Sequence, residues 1–307
     1  MLTTLTIKNC NALTGLPESL GELATLTALV LIQCNAVTRL PASLGQLSTL
    51  TTVHLELCHA LTGLPASLGQ LAALTTLYLG WCHALTGLPE SLGQLAALTT
   101  LNLNGSALTG LPDTLGQLAA LTTLNLGVCG ARLPESLGQL AALTMLNLYQ
   151  CRALTRLPDS LGQLAALVHL SLNHCVALTQ LPDSLGQLTA LTTLNLDGCH
   201  ALTSLPDSLG QLAALATLHL SWCLALTELP ESLGQLAKLT NLDFWACCAL
   251  QFPPAAIVQH GIPAIRAFLL AGYQPKKIIL LILAARRRRM RCLPVELWDL
   301  IYDEYFV

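Results

Sequence analysis

Leu191-Thr192-Thr193-Leu194-Asn195-Leu196-Asp197-Gly198-Cys199-His200-Ala201-Leu202-Thr203-Ser204-Leu205-Pro206-Asp207-Ser208-Leu209-Gly210-Gln211-Leu212-Ala213-Ala214 is one of eleven copies of a single block. The copies begin at Leu2, Leu26, Leu50, Leu74, Leu98, Leu121, Leu143, Leu167, Leu191, Leu215 and Leu239. The spacing between these leucines is constant, except that the copy at Leu98 is one residue shorter and the copy at Leu121 two residues shorter. The eleventh copy keeps only its first half, to Cys247. Within a block, Leu-x-x-Leu-x-Leu ends in an apolar–polar alternation, which marks a strand with one buried face. The second half opens on Pro, whose fixed φ starts a turn or short helix, and its Gly is expected to end that segment in a left-handed conformation. No single block can bury its own leucines, so neighbours must stack and share one continuous core. Eleven strands at about 4.8 Å spacing make a parallel sheet roughly 50 Å long. The two short copies adjoin, so an irregularity of the outer, convex side is expected between Leu98 and Ala142.

The composition of the 307 residues agrees with this reading. Apolar residues make up 53% and charged residues 10%, while only 4% are aromatic, so the core is built from Leu and Ala. This excludes a disordered chain, which needs low hydropathy and high charge. A formal net charge of −3 argues against nucleic acid as a partner. The longest uninterrupted apolar stretch in the tail, Ile278 to Ala285, lies between Lys276-Lys277 and Arg286 and falls far short of the roughly 18 residues of a membrane span. The N-terminus has no secretory pattern. Met1 leads straight into a repeat strand without a polar cap, so the natural chain is expected to extend further.

The repeated pattern resembles the leucine-rich repeat. It is similar to the intracellular Leu-Pro-x-Ser-Leu-Gly-x-Leu variants of plant Ras-group-related proteins and of plant disease-resistance receptors. The resemblance covers residues 2–250 and implies an α/β repeat solenoid: a horseshoe of about eleven parallel strands, short helical or irregular convex segments, and a C-terminal helical tail. The expected organisation is a solenoid over residues 1–250 and a helical cap or tail over 251–307.

Ten of the twelve cysteines fall in one column, from Cys10 to Cys247, with Ser106 in the same place in the fifth copy. Parallel thiols on one inward column lack the converging geometry of a disulfide or a zinc site. Free, buried thiols are therefore expected, with no metal and no cofactor, in a reducing compartment: the cytoplasm, or alternatively the nucleus. The acidic residue after the repeat proline, present in eight of ten copies (Glu18 and Asp207 among them), reads as a cap favouring the N-terminal end of its turn.

Function is expected where the columns vary. Residues 2–250 hold six aromatics. Five of them, Tyr78, Trp81, Tyr149, Trp222 and Trp245, lie in the exposed strand columns, and only Phe244 occupies a leucine position. Large rings on a surface are common anchors of interfaces. Two patches follow: His54, Tyr78 and Trp81 early, and His169, His174, Asp197, His219, Trp222, Asp243 and Trp245 late, with Tyr149 between them. The plain alternative is drift within a duplicated array. The chain contains no phosphate-binding glycine loop and no nucleophile elbow. A non-enzymatic module binding a protein partner on the concave face is expected, without a small-molecule substrate, and the competing reading is a structural subunit of a larger assembly.

The tail differs in charge: from Pro263 it carries 8 Lys and Arg against 4 Asp and Glu. Pro263 to Tyr273 and Lys277 to Arg291 read as helices, the second ending in Arg286-Arg287-Arg288-Arg289-Met290-Arg291. Beyond them, Leu293-Pro294-Val295-Glu296-Leu297-Trp298-Asp299-Leu300-Ile301 resembles the opening helix of an F-box. That resemblance implies a cullin-ligase adaptor as a partner, docked by Leu293, Pro294, Leu297 and Ile301 within segment 293–307. The alternative is a helix that caps the last repeat.

Overall fold

The computed structural model describes residues 2–254, 257 and 261–270. Eleven strands form one parallel sheet in strict chain order. They are β1 (Thr4–Lys8), β2 (Ala28–Ile32), β3 (Thr52–Glu56), β4 (Thr76–Tyr78), β5 (Thr100–Asn102), β6 (Thr123–Asn125), β7 (Met145–Asn147), β8 (His169–Ser171), β9 (Thr193–Asn195), β10 (Thr217–His219) and β11 (Asn241–Asp243). The register never slips: Thr4 pairs with Ala28, Ala28 with Thr52, and the same column continues to Thr217 with Asn241. Each leucine therefore stacks on its equivalent, and residues such as Leu29, Leu55, Leu101, Leu146 and Leu194 are fully buried.

The convex side consists of ten 3-10 turns of five residues, each entered from a proline with φ between −65° and −76°. The leucine three residues after each proline donates its N–H to the proline carbonyl at 2.9–3.2 Å. The expectation that the following glycine adopts a left-handed backbone is not met. Positive φ occurs at Gly105, Gly198 and Gly261, none of them in these turns. The turn glycine answers instead to close approach. A Cβ on Gly69 would lie 2.4 Å from the Ser91 carbonyl oxygen of the next turn, so only a residue without one lets the turns stack at the sheet's spacing.

The left-handed residues lie elsewhere. The last exposed column, immediately before the cysteine, has positive φ in all eleven repeats, from Asn9 and Gln33 through Trp81, Val128, His174 and Trp222 to Ala246. Nine of these residues are not glycine, although the conformation is costly for any side chain and most so for a β-branched one such as Val128. Backbone pairing holds them there. Asn9 N–H donates to Ile32 C=O at 2.9 Å and Trp222 N–H to Trp245 C=O at 2.8 Å, which carries the ladder past the strand before the chain turns off the sheet.

The short repeats also differ from expectation. Their turns, Asp113–Gln117 and Glu135–Gln139, are regular. The missing residues are lost from the flank between the cysteine column and the proline: Cys129 is five residues before Pro134, whereas Cys151 is seven before Pro158.

Among the described residues a helix, α1 (Ile262–Leu270), packs on the last turn of the array. Ile265, Phe268 and Leu269 are buried in the common core, Phe268 meets Phe252 with ring centroids 5.2 Å apart, and Arg266 Nε donates to Gly234 C=O at 3.4 Å. Leu270 stands against Gly234, where the next turn would otherwise stack. The second expected helix, from Lys277, and the F-box-like segment 293–307 lie outside the described residues. No helix among the described residues is long and apolar enough to cross a membrane.

Candidate functional site

The open sheet face is built on the cysteine column. All eleven cysteines among the described residues are free thiols. Cys34 through Cys223 are buried, as expected, but Cys10 is exposed and Cys247 half-buried. These two belong to the end repeats, where a covering repeat is present on one side only. Each inner thiol of a regular repeat reaches back to the carbonyl of the last strand leucine (or isoleucine) of the preceding repeat: Cys34 to Ile7 at 3.6 Å, Cys175 to Leu148 at 3.1 Å, Cys223 to Leu196 at 3.3 Å. Burial pushes the Cys82 and Cys199 thiols up to about 12. Cys175 and Cys223 are pushed up first by the neighbouring thiols of Cys151 and Cys247 and then by burial. Thiolate chemistry is thus suppressed at these four positions.

The polar residues of the second exposed column organise the strand ends. Asn104 N–H donates to Asn102 Oδ1, Gly127 N–H to Asn125 Oδ1, Tyr149 N–H to Asn147 Oδ1 and Asp197 N–H to Asn195 Oδ1, all at 2.9–3.0 Å. Two of the expected site residues serve the scaffold in the same way. Asp243 Oδ1 accepts from Trp245 N–H at 3.1 Å, and Asp197 Oδ1 accepts from Ser221 N–H at 2.7 Å. Neither forms an ion pair with His169 or His219; the histidine–carboxylate pair of the described residues is His54 Nε2 with Glu56 Oε2 at 3.0 Å. The late histidines and aspartates therefore do not assemble an acid–base pair.

The rings sort into three groups. In the early group His54 and Tyr78 lie with ring centroids 5.1 Å apart. Trp81 meets His83 edge-on at 5.9 Å, and His83 stacks on His59 at 4.8 Å and 9°. His59 and His83 were not expected at the site. They follow column cysteines, and Nδ1 of each is 3.0–3.1 Å from a carbonyl of the next repeat, that of Trp81 and of Gly105. Their recurrence at the same place in consecutive repeats was the available signal. Tyr149 and His174 form a second, edge-on pair at 5.9 Å, and Trp222 and Trp245 a third at 4.9 Å and 83°. The late patch is thus two ring pairs rather than one cluster, with His169 exposed and His219 half-buried.

Trp81, Trp222 and Trp245 keep 37%, 46% and 65% of their surface exposed. The left-handed column explains how two of the rings lie. Trp81 sits over Gly105 and His174 over Gly198, the two glycines of that column, where a Cβ would come within 2.6 Å and 2.5 Å of the rings. A large ring in one repeat is accommodated by the loss of a side chain in the next.

Glu18 corrects the capping expectation. No turn is capped by a side chain at its own proline entry; the Glu18 carboxylate instead accepts from Ser43 N–H at 2.9 Å and Ala42 N–H at 3.2 Å, at the start of the next turn. Those hydrogen bonds, Ser43 first, hold Glu18 below the usual carboxylate range.

A family model described as "Leucine-rich repeat region" matches residues 67–173, and one described as "Leucine Rich Repeat" matches residues 190–212. No curated protein sequence matches the chain. Among solved structures, the leucine-rich repeat domain of the type III effector XopL is 29% identical, with a TM-score of 0.65 over 70% of this chain and 75% of that one. A leucine-rich repeat protein of Leptospira interrogans is 31% identical, covering 76% of this chain and 69% of that one, with a TM-score of 0.48. The ectodomain of the Arabidopsis receptor kinase HAESA, solved in complex with a peptide hormone ligand, is 25% identical with a TM-score of 0.51, over 76% of this chain and 44% of that one. The eleven in-register repeats and these likenesses give the chain the fold of a leucine-rich repeat solenoid.

Proposed function

We propose that the chain is a protein-recognition module that holds a partner against its open, concave sheet face, with Trp222 and Trp245 as principal anchors and Tyr78, Trp81, Tyr149 and His174 as further contacts. One observation carries this reading. In a solenoid cored by leucine, the three tryptophans among the described residues lie on the surface, 37–65% exposed, in columns where leucine packing has no use for them. The edge-on Trp222–Trp245 pair adds a pre-ordered apolar surface at little entropic cost. HAESA, a protein of the same fold, is solved with a peptide ligand, which supports a peptide or an exposed protein segment as the occupant. Selecting ligands from a displayed peptide library against the full chain tests it. Replacing Trp222 and Trp245 by Ala should weaken a selected ligand at least about tenfold while the fold persists; ligands indifferent to both residues would contradict the reading.

The F-box resemblance of Leu293, Pro294, Leu297 and Ile301 supports a finer version, in which the repeats select the target of a ubiquitin ligase. Leu297→Asp with Ile301→Asp should then abolish co-purification of a cullin-ligase adaptor without lowering the melting temperature. A lowered melting temperature with no adaptor bound to the unmodified chain would favour the capping helix.

A further inference from the structure

The flank at the short repeats opens a second site. The copy at Leu121 has lost two residues between Cys129 and Pro134, and Ala131 stands in a column that is otherwise Leu or Val. The seventh repeat is left partly uncovered. Leu154 keeps 8% exposure where its equivalents Leu85, Leu178 and Leu202 have none. The backbone ladder of this flank is broken at the same point. Arg132 N–H donates to Thr109 C=O and Thr179 N–H to Thr155 C=O, but among the described residues no backbone bond joins Thr155 to the sixth repeat. The ladder also lapses at Thr86, but there no residue is lost and Leu85 beside it stays fully buried. The gap at the seventh repeat is a cavity of about 840 Å³, lined by Gly130–Leu133, Ala153–Asp159 and residues of the eighth repeat.

Charge marks the same place. Residues 1–262 contain six Lys and Arg against thirteen Asp and Glu, and three of the six, Arg132, Arg152 and Arg156, fall in these two adjacent repeats. Arg132 and Arg156 line the cavity from either repeat, both exposed. Neither guanidinium is within ion-pair distance of a carboxylate among the described residues. Glu135 and Asp159 also line the cavity, but they belong to an acidic column that recurs along the solenoid, whereas only here do arginines stand at this column in adjacent repeats, Arg39 having Gly15 and Gly63 beside it.

We infer that this step is a docking site for an acidic peptide segment of a protein partner, laid across the sixth and seventh repeats. Its carboxylates pair with Arg132 and Arg156, whose planar donor forks suit carboxylates. The uncovered edge at Thr155 offers a backbone N–H to the segment's main chain. The volume holds a few residues, within the ordinary range for ligand sites. The site lies between the cysteine column and the turn proline, off the sheet face and away from Trp222 and Trp245.

Titrating the full chain with a fluorescein-labelled peptide of alternating Glu and Gly, and with its Gln counterpart, tests this. The Glu peptide should bind at least about tenfold more tightly, and Arg132→Gln with Arg156→Gln should remove that preference, since both positions are exposed and the fold should be kept. Trp222→Ala should leave it unchanged, which separates this site from the proposed sheet-face function. Neutralising Arg286 to Arg289 should also leave it unchanged. Equal binding of the two peptides, or a preference that survives in the Arg132/Arg156 variant and vanishes with the tail arginines, would overturn the assignment.

Discussion

The first three repeats and the last five use the same leucine core but end their strands differently. In β1 to β3 the sheet pairing runs through five residues, to Lys8, Ile32 and Glu56. In β7 to β11 regular strand pairing covers three residues, and single bonds such as Leu148 N–H to Ser171 C=O and Gln150 N–H to Asn173 C=O carry the ladder on. There, in several repeats, an Asn or Asp side chain takes the N–H two residues on, as Asn147 does from Tyr149 and Asp243 from Trp245. The cysteine column responds. Its contacts to the preceding repeat's carbonyl measure 3.6–3.7 Å at Cys34 and Cys58, and 3.0–3.3 Å from Cys151 to Cys247. Where regular strand pairing is short, the thiol lies closer to the carbonyl of the preceding repeat.

The comparison can be broken or sharpened by substitution. The largest effect should be common to both regions. Leu31→Ala and Leu194→Ala remove fully buried side chains, and each should cost about 2–5 kcal/mol in denaturant unfolding. A much smaller loss in one region would mean that the cores differ as well as the strand ends. Next, Cys175→Ala should cost about 1 kcal/mol more than Cys58→Ala, because a close hydrogen bond is lost with the same volume. Equal losses would deny the thiol any distinct role in the later repeats. Val128→Gly, by relieving a β-branched residue at φ 56°, should raise stability by about 1 kcal/mol.

Titration gives a smaller effect of known sign. The Cys82 and Cys199 thiols stand near 12 when folded, against an ordinary value of about 9, so between those values the folded state holds protons that the unfolded state has released. Stability contributed by these thiols is therefore complete below about pH 9 and falls as pH rises toward 12. Cys82→Ser with Cys199→Ser should flatten the alkaline limb of a melting-temperature profile. Glu18 runs the other way: its lowered carboxyl favours the folded state above the ordinary carboxylate range, and that contribution is lost as pH falls through its folded value. Glu18→Gln should remove only that acid-side dependence.

Much of this was legible in the repeat itself. The constant spacing of Leu-x-x-Leu-x-Leu implied strand order, register and an inward cysteine column, because stacking identical units leaves no other register that buries every leucine. The left-handed position was misread. Gly in Leu-Pro-x-Ser-Leu-Gly carries the usual mark of such a position, whereas the true one holds Asn, Gln, Leu, Trp, Val, His and Ala as well as Gly, and only the hydrogen bonds to the next repeat show why. The acidic column was assigned to its own turn because sequence spacing hides the fact that Glu18 lies against the turn of the following repeat. The exposed columns identified the rings, but their sorting into pairs, and the place of His59 and His83 beside Trp81, needed the fold.

The central claim is that the surface rings are there to be bound. Three tryptophans lie among the described residues, so the indole Nε1–H resonances of Trp81, Trp222 and Trp245 can be followed one by one as a selected ligand is added to the full chain. The indoles of Trp222 and Trp245 should shift together and saturate at the ligand's Kd, with the fold's other resonances largely in place. A ligand that saturates the protein while all three indoles stay where they were would contradict the account.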